Sequence, residues 1–199
     1  MKKYINKQIQ VYIMLSMLLI PAAAMGQDWK IDANHSGIWF GIKHIFATVQ
    51  GNFSDYDANI VFDPDSLKQS RFDFTVKVKS INTENGKRDN HLRSDEFFDE
   101  AKFPVMRFTS SRIVHKEGSQ YLVEGTLQIK DVRKEMTIPF VFHGTAPSPF
   151  NKDQTVAGFD TRFTINRLDF GVGNGKFKKM GVVDDTVQVM ITVEAIGKK

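Results

Sequence analysis

No cysteine occurs among the 199 residues. That absence excludes a disulfide framework, a thiolate zinc site, a cysteine nucleophile and a lipidated N-terminal cysteine. Internal repeats and linkers are missing as well, so the length argues for one domain. With 41% hydrophobic and 25% charged residues the chain is neither collagen-like nor wholly disordered. Acidic residues are missing from the first 26 positions, which carry Lys2, Lys3 and Lys7, an apolar run from Ile9 to Ile20, and then Pro21, Ala22, Ala23, Ala24, Met25 and Gly26. This order of basic, apolar and small residues predicts a secretory signal peptide over 1–26, cleaved after Gly26. A transmembrane anchor fits less well, because Gln8, Gln10 and Ser16 interrupt a stretch already short of the roughly 20 residues a bilayer requires. Without this segment the formal charge falls from +4 to +1, since three lysines leave and no acid does. A nucleic-acid partner therefore loses its support. The predicted mature protein spans 27–199, is periplasmic and lacks a lipid anchor.

What the rest of the chain has is alternation with period two. Phe72, Phe74, Val76 and Val78 alternate with Asp73, Thr75, Lys77 and Lys79, and the same pattern runs through Tyr121–Ile129, Met136–Phe142, Phe159–Ile165 and Val187–Ala195. A shorter piece, Ile38, Phe40 and Ile42, precedes them. One apolar and one polar face mean antiparallel sheet, and about eight strands with turn signals between them suit an all-β barrel or a sandwich. Pro139 inside an alternating run predicts a bulge or an edge seam, and inward-facing Gly125 predicts a bend. The polar stretch from Thr83 to Ala101 breaks the pattern. Asn85 or Asp89 is placed to cap a short helix carrying Leu92, and Ser94 to cap a second turn bringing Phe97 and Phe98 onto the sheet. A lid over a barrel mouth is the simplest assignment for so long a connection.

Chemical motifs are few. The run Gly171-Val172-Gly173-Asn174-Gly175-Lys176-Phe177 fails as a Walker loop, with Phe170 where a glycine is needed and Phe177 where Ser or Thr holds magnesium. It reads as a flexible loop with a basic patch at Lys176, Lys178 and Lys179, followed by no helix. There is no G-x-S-x-G elbow. His35 and His44, nine residues apart, face opposite sides of one extended strand, so neither a metal nor a cofactor is expected. Arg88-Asp89 reads as a local ion pair. The remaining signal is aromatic mass on the apolar face, which in a barrel either fills the lumen or lines it.

Several stretches resemble the YceI-like, lipid/polyisoprenoid-binding family. They are Trp29-Lys30-Ile31-Asp32, His35-Ser36, Lys43-His44, Gly51-Asn52-Phe53, the run Arg88-Asp89-Asn90-His91-Leu92-Arg93-Ser94-Asp95-Glu96-Phe97-Phe98-Asp99, and Asn166-Arg167-Leu168-Asp169-Phe170-Gly171-Val172. The resemblance covers about 28–195 and implies an extended eight-stranded antiparallel lipocalin-like barrel whose lumen holds a long-chain amphiphile, without catalysis. Strands of about ten residues at about 3.3 Å each, tilted near 40°, give a barrel roughly 25–30 Å tall, enough for about twenty extended carbons. On this reading Phe40, Phe53, Phe74, Val76, Phe108, Leu92 and Phe97 contact the tail. His35, His44, Arg88, His91 and Arg93 sit near the head group, where arginine suits a pyrophosphate or carboxylate. The partner is a hydrophobic small molecule collected through transient membrane contact; the oligomeric state, a homodimer included, stays open. The alternative is a secreted enzyme acting on a lipid or prenyl diphosphate through His35, His44, His91, Arg88 and Asp89.

Overall fold

The computed structural model describes residues 27–199, so the predicted signal segment lies outside the described residues. Eight strands run up and down in chain order and close on themselves. Three of them are interrupted: β1 (Asp28–Ile31) continues as β2 (Gly37–His44), β3 (Ala47–Phe53) as β4 (Tyr56–Val61), and β5 (Arg71–Lys77) as β6 (Ile81–Asn82). Five long strands follow, β7 (Val105–Glu117), β8 (Gln120–Ile129), β9 (Val132–Pro147), β10 (Gln154–Asn166) and β11 (Val183–Lys198). β11 closes the ring by pairing antiparallel with β10 on one edge and with β2 and β1 on the other, through Val189↔Phe40 and Ile31↔Ala195. Closure pairs every strand except the two-residue β6 on both sides over at least part of its length, which suits a sheet this long.

The sequence signals act where expected, with differences in detail. The alternating run through Val78 does not stay extended: a 3-10 turn (Val78–Ser80) kinks it, held by Ser80 Oγ donating to the Lys77 carbonyl at 2.7 Å. Gly125 is buried because β7 crosses close to it. A Cβ there would lie 2.4 Å from the Thr109 carbonyl oxygen, beside the register shift between Ser110 and Arg112. At Pro139 the seam is real. The β9–β10 ladder runs from Thr155↔Pro147 to Asp160↔Val141 and ends there, while β9 pairs with β8 down to Val132. Below that point Thr161 Oγ1 donates to the Pro139 carbonyl, and near the mouth Lys134 Nζ meets Asp169 at 2.8 Å.

Two helices occupy the mouth. Asn85 Oδ1 caps α1 (Gly86–Arg93) by accepting from the Arg88 amide; Ser94 closes its C-terminus, its hydroxyl donating to the His91 carbonyl, and opens the expected second turn, its carbonyl accepting from the amides of Phe97 and Asp99. The Gly-rich run is not a plain loop. Gly171, Gly173, Gly175 and Gly181 all have positive φ, and between the last two one helical turn forms, α2 (Lys176–Lys179). Glycine has no Cβ to forbid that backbone.

The aromatic residues divide along the barrel axis. At the end away from the helices Phe62, 1% exposed, is the hub of a ring cluster. Its centroid lies 5.8 Å from Phe72, 5.4 Å from Tyr121, 5.8 Å from Phe140, 4.9 Å from Phe142 and 5.4 Å from Phe159, mostly edge to face. Trp29 Nε1 donates to the Phe62 carbonyl at 2.9 Å and ties β1 over this plug. The end away from the helices is therefore filled, and the lumen is confined to the space between this plug and the mouth.

Candidate functional site

Above the plug lies a cavity of about 430 Å³. That is within the roughly 300–1,000 Å³ of small-molecule sites. Its floor is the upper surface of the plug, formed by Phe72, Phe140, Phe159, Val123 and Val193. Its wall is the apolar stripe of the strands, including Phe40, Phe53, Phe74, Val76 and Phe108. Phe40 and Phe53 lie 5.5 Å apart, and Phe53 meets Phe98 edge to face at 6.2 Å, which joins wall to lid.

The lid has two parts. In the first, α1 and the following turn place Leu92, Phe97 and Phe98 over the lumen. This segment is anchored without an Arg88–Asp89 ion pair. Buried Asp89 accepts from the amide and hydroxyl of Thr83 at 2.9 and 2.5 Å, and Arg88 donates to the same hydroxyl oxygen at 2.8 Å and to the Thr83 carbonyl at 2.6 Å. Thr83 stands between the two charges, so the expected couple is a three-residue anchor. Arg93 is likewise engaged, with the carbonyls of Lys79 and Ile81 and the side chain of Asn90.

The second part is the β10–β11 connection, 167–182. Phe177 stacks on Phe97 at 6.2 Å, and His91 meets Phe97 edge to face at 4.9 Å. Lys130, in the β8–β9 turn, reaches both parts, donating to the carbonyls of Phe97 at 3.0 Å and Gly171 at 2.9 Å. Replacing it with methionine removes two charge-assisted hydrogen bonds, a local loss of roughly 2 kcal/mol. Amide exchange in Lys130→Met should quicken at 95–99 and 170–174 and stay unchanged in β7 and β8; uniform exchange across the chain would refute the clamp.

Most of the predicted site residues come together. Phe40, Phe53, Phe74, Val76, Phe108, Leu92, Phe97, His44, Arg88 and His91 all line the cavity. His35 does not. It sits in the β1–β2 turn toward the plugged end, its Nδ1 2.9 Å from Asp32 and 3.6 Å from Glu194. Asp32, His35 and Glu194 form the one group of three metal-type ligands among the described residues, and their hydrogen bonds account for it. The proposed catalytic set of three histidines is thus not assembled. Asp32 raises the His35 pKa above 6.5, chiefly through its hydrogen bond. A raised histidine stabilises the fold below its ordinary pKa, and that contribution is lost as pH rises through the folded value. An NMR titration should show His35 above 6.5 and Asp32→Asn returning it toward that value. Opposite in sign is Asp185 at the mouth, whose carboxyl Lys178 holds down at about 2. Its contribution is present above the ordinary carboxylate range and is lost only as pH falls through about 2.

Sequence reasoning missed Met106, Val189, Phe177 and Arg167, all part of the cavity wall. Arg167 is 5% exposed. Its Nη1 donates to the Val172 carbonyl at 2.7 Å and its Nε to the Asp184 carbonyl at 2.9 Å, while buried Nη2 has no partner among the described residues. Burial lowers its pKa, opposed by Asp185 and Asp184. A buried donor left unsatisfied costs about 1–3 kcal/mol, and more when charged.

A family model described as YceI-like domain matches residues 29–195. Protein YceI of Salmonella arizonae is 29% identical over 197 residues, covering 98% of this chain and all of that one. The crystal structure of Burkholderia cenocepacia BcnA superposes with a TM-score of 0.73 at 26% identity, over 82% of this chain and 98% of that one. A polyisoprenoid binding domain from Saccharophagus degradans has the same fold, with a TM-score of 0.62 at 15% identity over 86% and 99%.

Proposed function

The chain belongs to the YceI-like domain family, and from that premise we propose that it binds one long-chain amphiphilic lipid in its lumen as a periplasmic carrier or sequestering protein. The observation that carries the reading is the lidded cavity, lined by apolar side chains and floored by an aromatic plug. The name of the Saccharophagus degradans domain supports a polyisoprenoid, and the wall is equally suited to a fatty acyl chain. Inside a membrane such a tail is already out of water, so burying it in the barrel gives little net preference, and polar groups at the mouth choose the ligand. The periplasmic location rests on the signal-like segment over 1–26. Among the described residues no helix is long and apolar enough to cross a membrane.

Native mass spectrometry after gentle purification should show the protein with one added lipid mass, which delipidation removes and prenyl or fatty acyl probes restore. A protein that carries no lipid and takes up neither probe would sink the proposal.

A further inference from the structure

The unsatisfied nitrogen of Arg167 specifies what the ligand carries. Arg167 forms part of the cavity wall beneath the lid, with its guanidinium carbon 6.0 Å from the centre of the Phe97 ring. Two of its three nitrogens are spent on the backbone at Val172 and Asp184, and these bonds hold the side chain in place. Asp185 is engaged by Lys178 and by Asn166 Nδ2, so it leaves Nη2 without a partner. Of the other cavity arginines, Arg88 donates Nε and Nη2 to Thr83 and Arg107 donates Nη1 to Thr75 Oγ1; among the described residues only Arg167 has a buried nitrogen left without a partner. We propose that the Arg167 Nη2 amino group is the polar anchor of the lumen and takes one carboxylate or carbonyl group on an otherwise apolar chain. The outstanding amino group, beside Phe97, offers two N–H donors, which suits the one or two oxygens of a carbonyl or carboxylate; a diphosphate would bury several more acceptors there without donors.

This assignment rests on the lipid-binding reading, and the test separates the two. The full-length protein, delipidated, is titrated with diphenylhexatriene, its propionic acid derivative and the methyl ester of that acid, followed by probe fluorescence. The acid or the ester should bind at least about tenfold more tightly than the hydrocarbon, the equivalent of one charge-assisted hydrogen bond. Acid above ester identifies a carboxylate, and equality of the two identifies a carbonyl. Arg167→Gln should abolish the preference for acid or ester over hydrocarbon, read as the ratio of affinities within the variant. Because Arg167→Gln also gives up the Val172 and Asp184 bonds, a second readout uses the unaltered chain: the ¹⁵N side-chain resonances of Arg167 should shift with acid or ester and not with hydrocarbon. Equal affinity for all three probes, or unmoved Arg167 resonances, overturns the anchor and leaves the carrier standing. Binding of none of them overturns the carrier itself.

A second, independent observation concerns the rim. The β2–β3 hairpin turns through Ile45 and Phe46, 49% and 97% exposed, with Ile45 at φ 52°. A β-branched residue is strained in that region, where Gly, Asn or Asp is the ordinary choice. The Ile45 amide donates to the Val182 carbonyl, which brings the turn beside Met180, 62% exposed. Exposed Lys43, Lys176 and Lys179 lie on the same rim, and the acids there, Asp184 and Asp185, are engaged by Lys178. The structure assigns this apolar tip with its basic collar to docking on an anionic lipid surface, which sets the cavity mouth against the membrane. Flotation with vesicles of phosphatidylglycerol and phosphatidylethanolamine should carry the protein upward. Phosphatidylcholine vesicles or added salt should weaken this, and Phe46→Asp should reduce the floated fraction at least about fivefold with the unfolding curve unchanged. Wild-type protein that stays at the bottom, or a Phe46→Asp variant that floats equally well, refutes the assignment.

Discussion

Phe62→Ala should be the most damaging single substitution in the barrel, lowering stability by about 3–5 kcal/mol. Phe62 is fully buried and its ring touches five others, so truncation leaves a cavity and also removes edge-to-face contacts worth about 0.5–1.5 kcal/mol a pair. Urea unfolding should show a lower midpoint with an unchanged slope, and the thermal midpoint should drop by roughly 6–20 °C. Phe62 is not part of the cavity surface. Below the transition the variant should therefore bind the same probes with affinity close to that of the parent chain. A midpoint within two or three degrees of the parent would mean the ring cluster is not what holds the closed end.

The double variant Val76→Trp, Val189→Trp should behave in the opposite way. Both valines are on the cavity wall, one on β5 and one on β11, and neither is fully buried. In a packed core such enlargement costs about 1–3 kcal/mol at each site. In a hollow lumen the indoles enter existing space, so the unfolding midpoint should hardly move. Lipid uptake, by contrast, should fall at least about tenfold and the co-purified mass should disappear. Marked destabilisation with retained binding would show that the ligand sits elsewhere.

Both expectations depend on information that alternation does not contain. A period of two assigns a residue to the inner or outer face, and on that basis Phe40, Phe74, Val76 and Phe108 were legible as lumen-facing. It says nothing of height along the axis. Height is set by register, which is why the phenylalanines of plug and wall looked alike in the sequence. Phe62 was missed because it follows the end of β4 and precedes the turn at Asp63-Pro64, where a phenylalanine reads as loop. The strands β3 and β4 were missed as well; Gly51 and the break at Ser54-Asp55 blur their alternation.

The site was readable where residue chemistry agreed with local structure and obscure where a distant contact decided. Leu92 and Phe97 fell into place because the cap at Asn85 fixes the phase of α1. Arg167 did not, since a charged residue in a polar run is ordinarily exposed. It is buried because the β10–β11 connection folds back across the mouth, on glycines whose positive φ allows the reversals. His35 failed for the converse reason. A polar residue near a predicted head-group site is attractive until the topology places it toward the other end.

The seam beside Pro139 gives the barrel a property that a fully laddered cylinder lacks. Between Thr161 and the mouth, β9 and β10 are held together by side chains, among them the Thr161–Pro139 and Lys134–Asp169 contacts, and not by a ladder. Spreading the staves there breaks no β9–β10 backbone pairing, whereas widening at the β7–β8 or β10–β11 joint would unzip several bonds at once. A bulky or branched chain should therefore be accommodated at the mouth by parting these two strands, while the ring cluster at the plugged end keeps its shape.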